Sequence, residues 1–113
     1  MPARLTSLPD APEPVRRFQS AYAAVSRAAI LHELLTAGPA LRTDLAQRLD
    51  ITGPSVRKAL NELSSVGYVS YRLPAHTRAT SQDQPQGTTY TASRERIMSD
   101  LAATMAWLSE DRH

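Results

Sequence analysis

Between Leu41 and Val69 apolar residues fall at helical spacing twice over: Leu45, Ala46 and Leu49, then Val56, Leu60 and Leu63. That rhythm predicts two short amphipathic helices joined by a tight turn. Thr43 is the expected N-cap of the first, and Asp44 in its first turn suits the positive end of the helix dipole. This helix should end near Asp50. Thr52 is the next capping candidate, and Pro54 is tolerated because first-turn amides have no partner inside a helix. The second helix should run to about Val66, with Gly67 as its left-handed terminator, and then pass into a strand.

The flanking segments extend this plan. Prolines at 2, 9, 12 and 14 make residues 1–14 a flexible, proline-rich arm, so that the folded domain is expected over 15–113. From Val15 to Ala37 the pattern is helical: Val15, Phe18, Tyr22 and Val25, then Ile30, Leu31, Leu34 and Leu35. Ser26 can cap a fresh helix, so this stretch is either one long helix or two, and Gly38-Pro39 ends it. Ala40 to Arg42 has room for no more than a minimal strand. Tyr68 to Leu73 alternates and is rich in β-formers, and Gly87 to Ala92 reads as the returning strand. Together they predict a hairpin over 68–92 whose polar tip carries His76, Thr77 and Arg78. Ser93 should cap a last helix over 93–110, in which Met98, Leu101, Met105 and Leu108 recur at the 3-4-3 spacing of a helix seam, widened by Ile97, Ala102 and Trp107. The fold class is therefore mainly α with a small β-hairpin.

Composition narrows the chemistry. At 113 residues the chain suggests a single domain. It has no cysteine, which excludes disulfides, thiolate metal sites and cysteine nucleophiles. His32, His76 and His113 fall in different elements without ligand spacing, so neither a metal nor any other cofactor is expected. There is no glycine-rich phosphate loop, nucleophile elbow or paired carboxylate arrangement, so an enzyme is not expected. No apolar run is long enough for a bilayer and the N-terminus lacks the apolar stretch of a signal peptide, which predicts a cytoplasmic protein. The net charge is only +2. Its distribution says more: residues 41–73 hold five basic side chains against three acidic ones. Every basic residue except Lys58 is an arginine, whose planar fork suits phosphate and guanine.

The order helix, helix, turn, helix, hairpin, helix resembles the winged helix-turn-helix regulators of bacteria, nearest to the ArsR/MarR-like group. The likeness covers about Ser26 to Leu108, with a helix-turn-helix over 43–66, a wing over 68–92 and an additional C-terminal helix over 93–110. It is carried by Ile51-Thr52-Gly53-Pro54-Ser55-Val56-Arg57-Lys58 through Gly67-Tyr68-Val69, and by Gly87-Thr88-Thr89-Tyr90-Thr91 as the second wing strand. The chain lacks the cysteine or His/Asp ligand sets of that group's metal sensors.

The resemblance implies a sequence-specific regulator of double-stranded DNA, most simply a homodimeric repressor on an inverted repeat. It would place helix 53–66 in the major groove, about 12 Å wide. With Val56, Leu60 and Leu63 inward, the outward positions are Ser55, Arg57, Lys58 and Asn61, led by Thr52 and Gly53. Arg57 is the expected bidentate contact to guanine, while Lys58 and Asn61 can read bases or hold phosphates. Thr52, Ser55 and the amides of the helix start suit phosphate oxygens. Arg42 and the wing-tip Arg78 are further expected contacts to the DNA backbone. Met98, Leu101, Met105 and Leu108 are the expected dimer interface, since twofold partners let two helices reach successive grooves. The alternative is a winged-helix module used for protein–protein interaction, or for structural or partition DNA binding.

Overall fold

The computed structural model describes residues 11–74 and 87–110. In chain order these form α1 (Glu13–Tyr22), α2 (Val25–Ala37), β1 (Ala40–Leu41), α3 (Arg42–Leu49), α4 (Gly53–Ser65), β2 (Val69–Arg72), β3 (Thr89–Ala92) and α5 (Arg94–Leu108). The expected order of elements is what the chain adopts.

Residues 15–37 make two helices, not one. They part at Ala23-Ala24, where Ala24 is extended (φ −106°, ψ 135°). The break resets the helical phase, so the Val15/Phe18/Tyr22/Val25 spacing does not continue as one buried face, though Phe18 packs against the core. Val15 and Ala21 are buried, Phe18 is half-buried, and Val25 is 86% exposed. Ser26 does not cap α2, because Ala24 holds the cap position. At its other end α1 opens at Glu13, so Glu13 and Pro14 belong to it rather than to the arm; prolines fit a first helical turn, where no amide is needed.

Thr43 does not cap α3 either. Ala40-Leu41 pairs with β3, so the chain leaves extended conformation at Leu41 and the helix starts two residues earlier than Thr43 would set it. Asp44 then reaches back, its Oδ2 accepting the Leu41 amide at 3.3 Å. This is half of a capping box, the half in which an N3 carboxylate satisfies the N-cap amide. The turn into α4 passes through Asp50 at φ +54°, a left-handed position that aspartate tolerates. Thr52 caps α4 as expected, its Oγ1 accepting the Ser55 amide at 3.3 Å.

The other end of α4 closes as the sequence predicts. Gly67 lies at φ +83°, its amide donates to the Ser64 carbonyl at 3.1 Å, and the Tyr68 amide donates to the Leu63 carbonyl at 3.0 Å. That pair of bonds is a Schellman motif, and Leu63 and Tyr68, its apolar partners, are both fully buried. The chain then enters β2, which pairs antiparallel with β3 in the register Val69↔Ala92 to Arg72↔Thr89. β1 joins the far edge of β3, giving the order β1-β3-β2.

One core joins these elements. Ile30, Leu31 and Leu34 of α2 meet Leu45 of α3 and Val56, Ala59, Leu60 and Leu63 of α4, closed by Tyr68, Val69, Tyr90 and Ile97. α1 packs along α5 beside it. Ile97, expected to widen an outer seam on α5, faces this core instead. Met98, Met105 and Leu108 lie on the exposed side, with Leu101 half-buried between.

Candidate nucleic-acid interface

Four core residues at i, i+3, i+4 and i+7 (Val56, Ala59, Leu60, Leu63) bury one side of α4 and so determine what the other side presents. Thr52, Gly53, Ser55, Lys58 and Asn61 are exposed, and Arg57 is half-buried. The exposed set is polar and carries one positive charge, with a second on Arg57 beside it. Thr52 and Ser55 also hold each other: besides the capping bond, the Thr52 hydroxyl donates to Ser55 Oγ at 2.8 Å. Both hydroxyls are therefore pre-set at the start of the helix, where its unpartnered amides gather.

Two recesses flank this face. On one side an open cleft of about 290 Å³ is lined by Arg42, Thr43, Ala46, Gly53, Pro54 and Arg57. The structure thus brings Arg42 and Arg57, fifteen positions apart in sequence, to a single cleft between α3 and α4. Thr43, displaced from its expected capping role, lines the same cleft and is exposed. A smaller recess at Leu41, Arg42, Thr43, Gly87 and Thr88 continues from Arg42 to the base of the wing. On the other side of α4, Ser55 and Lys58 border a recess shared with Ala24, Ser26, Arg27 and Glu62. Arg78 lies outside the described residues.

Charge pairing keeps the acidic side chains near α4 engaged. The Arg27 guanidinium pairs with Glu62, and its other nitrogens donate to the Ser20 carbonyl at 3.2 and 2.9 Å. Glu62, one turn after Lys58, is thereby held toward α2. Arg48 of α3 approaches Glu33 of α2 at 3.5 Å.

The residues that sequence reasoning passed over lie behind this surface. Asp100 is only 2% exposed and accepts three hydrogen bonds: two from Arg17, at 3.0 Å each, and one from the Tyr68 hydroxyl at 2.8 Å. Burial alone would push its carboxyl up, but the bonds from Arg17 and Tyr68 outweigh it and hold the group below the usual carboxylate range. Burial pushes the Tyr68 hydroxyl well above its ordinary value, reinforced by its bond to Asp100. A signal was present: Asp100 follows Ile97 by three positions, on the same helical face.

Residues 29–76 match the model of the iron dependent repressor N-terminal DNA binding domain. The fold superposes on a crystal structure of an ArsR family transcriptional regulator with a TM-score of 0.62 and 25% identity, over 88% of this chain and 100% of that one. The chain is a winged helix-turn-helix protein. A protein with a GntR superfamily winged-helix-turn-helix domain from Halomicrobium mukohataei shares the fold at a TM-score of 0.56 and 22% identity, over 99% of this chain and 82% of that one. No curated protein sequence matches the chain significantly.

The segment matched by the family model runs from within α2 through β1, α3 and α4 to β2, and ends before β3, the second strand of the wing. The matched model is that of a DNA-binding domain and the first structural relative is a transcriptional regulator, so the likeness is to winged helices of the DNA-binding, regulatory kind. The ArsR-like resemblance read from the sequence is borne out at that level. Among the described residues no three His, Asp or Glu side chains converge, and the chain has no cysteine. No helix among the described residues is long and apolar enough to cross a membrane.

Proposed function

We propose that this winged helix-turn-helix protein is a cytoplasmic, sequence-specific regulator of double-stranded DNA that acts as a homodimeric repressor, occluding a promoter at an inverted repeat. The observation that carries the reading is the outward face of α4, where exposed Ser55, Lys58 and Asn61 stand beside the cleft shared by Arg42 and Arg57. In the major groove Arg57 reads guanine, and Lys58 and Asn61 reach bases or phosphates. Arg42, Thr52, Gly53 and Ser55 hold the backbone, joined by Arg78, which falls between β2 and β3 in the sequence. The exposed apolar residues of α5, Met98, Met105 and Leu108, with Leu101 between them, supply the contact between protomers. Pairing two readers doubles the phosphate contacts, which offsets a net charge of only +2.

Selection of bound sites from random duplexes, followed by footprinting across a salt series, tests the reading. An enriched inverted repeat is expected, with affinity falling steeply as salt rises. Lys58→Ala should reduce the salt slope by about one, and Arg57→Ala should cost about 1–3 kcal/mol at a single base position. Weak, salt-insensitive binding with no enriched motif would overturn the regulator and favour a module for protein partners.

A further inference from the structure

Two polar ties run from α1 to the DNA-reading helix, and they leave α1 one turn apart. At Ser20 the carbonyl accepts two bonds from Arg27, whose guanidinium also holds Glu62 on α4. At Arg17 the guanidinium grips Asp100, which in turn accepts the hydroxyl of Tyr68. Tyr68 is the residue on which the Schellman motif of α4 closes.

The second tie is the more constrained. Tyr68 is fully buried, and its backbone carbonyl accepts the Ser93 amide at 2.8 Å, at the start of α5. One turn further on, the Arg96 guanidinium lies over Gly67, so close that a Cβ there would come within 3.0 Å of its Nη2. One turn beyond that stands Asp100. Ser93, Arg96 and Asp100 fall on one side of α5, and all three meet the Gly67-Tyr68 hinge between α4 and β2. Apolar packing between α5 and this hinge is non-directional and holds the roll of α4 less tightly than a hydrogen bond does. A carboxylate held by three hydrogen bonds is directional, and in some proteins a buried polar group specifies geometry where it adds little stability.

We infer that Arg17, Asp100 and Tyr68 are positioning residues for DNA recognition: they fix the orientation of α4 on the α1–α5 pair and so set the half-site spacing the dimer accepts. The inference rests on the dimeric DNA-binding reading above. Half-site spacing in a twofold reader follows from the separation and tilt of its two recognition helices, so a helix allowed to roll accepts more spacings. None of the three residues needs to touch DNA for this to hold.

The full-length chain, its Tyr68→Phe, Asp100→Asn and Arg17→Lys variants, and Arg57→Ala are compared on duplexes carrying the selected half-site. One set carries a single half-site, and another carries inverted pairs whose spacer varies base pair by base pair. For Tyr68→Phe and Asp100→Asn we expect unchanged affinity for the single half-site. Preference for the best spacer over its neighbours should fall by roughly three- to tenfold, the span of one hydrogen bond. Arg57→Ala should lower binding at every spacer alike. Tyr68→Phe removes one oxygen and Arg17→Lys keeps the charge, so the comparison survives if Asp100→Asn does not fold. A sharp spacer optimum shared by wild type and all folded positioning variants would overturn the inference alone. So would a loss of half-site and paired-site affinity together, in step with falling thermal stability. Wild-type protein that binds no half-site at any spacing would overturn the regulator reading and this inference with it.

Discussion

The Arg17 guanidinium meets the Asp100 carboxylate along two bonds of 3.0 Å, Nε to Oδ2 and Nη2 to Oδ1. This fork is the planar match that arginine makes and lysine does not. Eighty-three positions separate the partners in sequence, and their pairing fastens α1 to α5. Removing Asp100 leaves the half-buried Arg17 guanidinium without its counter-charge and the buried Tyr68 hydroxyl without this acceptor. Asp100→Ala is therefore expected to cost about 3–5 kcal/mol, and Asp100→Asn less, read from denaturant unfolding of each variant. A loss below about 1 kcal/mol for Asp100→Ala would show that the pair is solvated in solution.

The same residues give stability a pH dependence at both ends. Asp100 is held below the usual carboxylate range when folded. Its contribution is present above the unfolded value near 4 and is lost as pH falls through the depressed folded value. Tyr68 is raised when folded, so its contribution is present below about 10 and fades as pH climbs past that value. Asp100→Asn should flatten the acid limb of a stability–pH profile, and Tyr68→Phe the alkaline limb. Unfolding midpoints measured across the range check both.

Gly67 is required by its backbone as well as by its neighbour. At φ +83° a side chain costs about 1–2 kcal/mol, and a Cβ would press on Arg96. Gly67→Ala should lower stability by that amount or slightly more, measured by chemical denaturation. Gly53 offers the contrast: a Cβ there meets nothing within 4 Å, so Gly53→Ala should be tolerated.

Thr52 caps α4, and replacing it by alanine should cost about 1 kcal/mol of stability. Serine at the same position keeps an acceptor for the Ser55 amide. Thermal melts of the two variants should separate, with Thr52→Ser near wild type and Thr52→Ala clearly lower.

Met105 and Leu108 are 60% and 70% exposed on the protomer. Charged substitutions there should leave the monomer's own stability within about 0.5 kcal/mol while weakening self-association. Sedimentation of Met105→Glu and Leu108→Glu against wild type measures this directly. Unchanged association for both would exclude this face as the protomer contact.

The helix-turn-helix and its wing were readable because they are locally encoded. Thr52, Gly67 and Ser93 each act on backbone groups within three residues of themselves, and each does what its residue type and position imply. The periodicity of Val56, Leu60 and Leu63 identified the inward face of α4, and with it the outward face proposed for DNA. Ser26 and Thr43 show where such reasoning stops. Both are good caps by type, but pairing of Ala40-Leu41 with β3 and the break at Ala24 set the helix starts elsewhere.

The order of the elements, the ends of α4 and the identity of its polar face follow from the chain alone, because capping and amphipathicity act over a few residues. The convergence of Arg42 with Arg57, the turning of Ile97 into the core, and the burial of Asp100 between Arg17 and Tyr68 do not. Each depends on where α1, α3 and α5 come to rest against one another, and a charge becomes a buried anchor only when packing delivers its partner from a distant part of the chain.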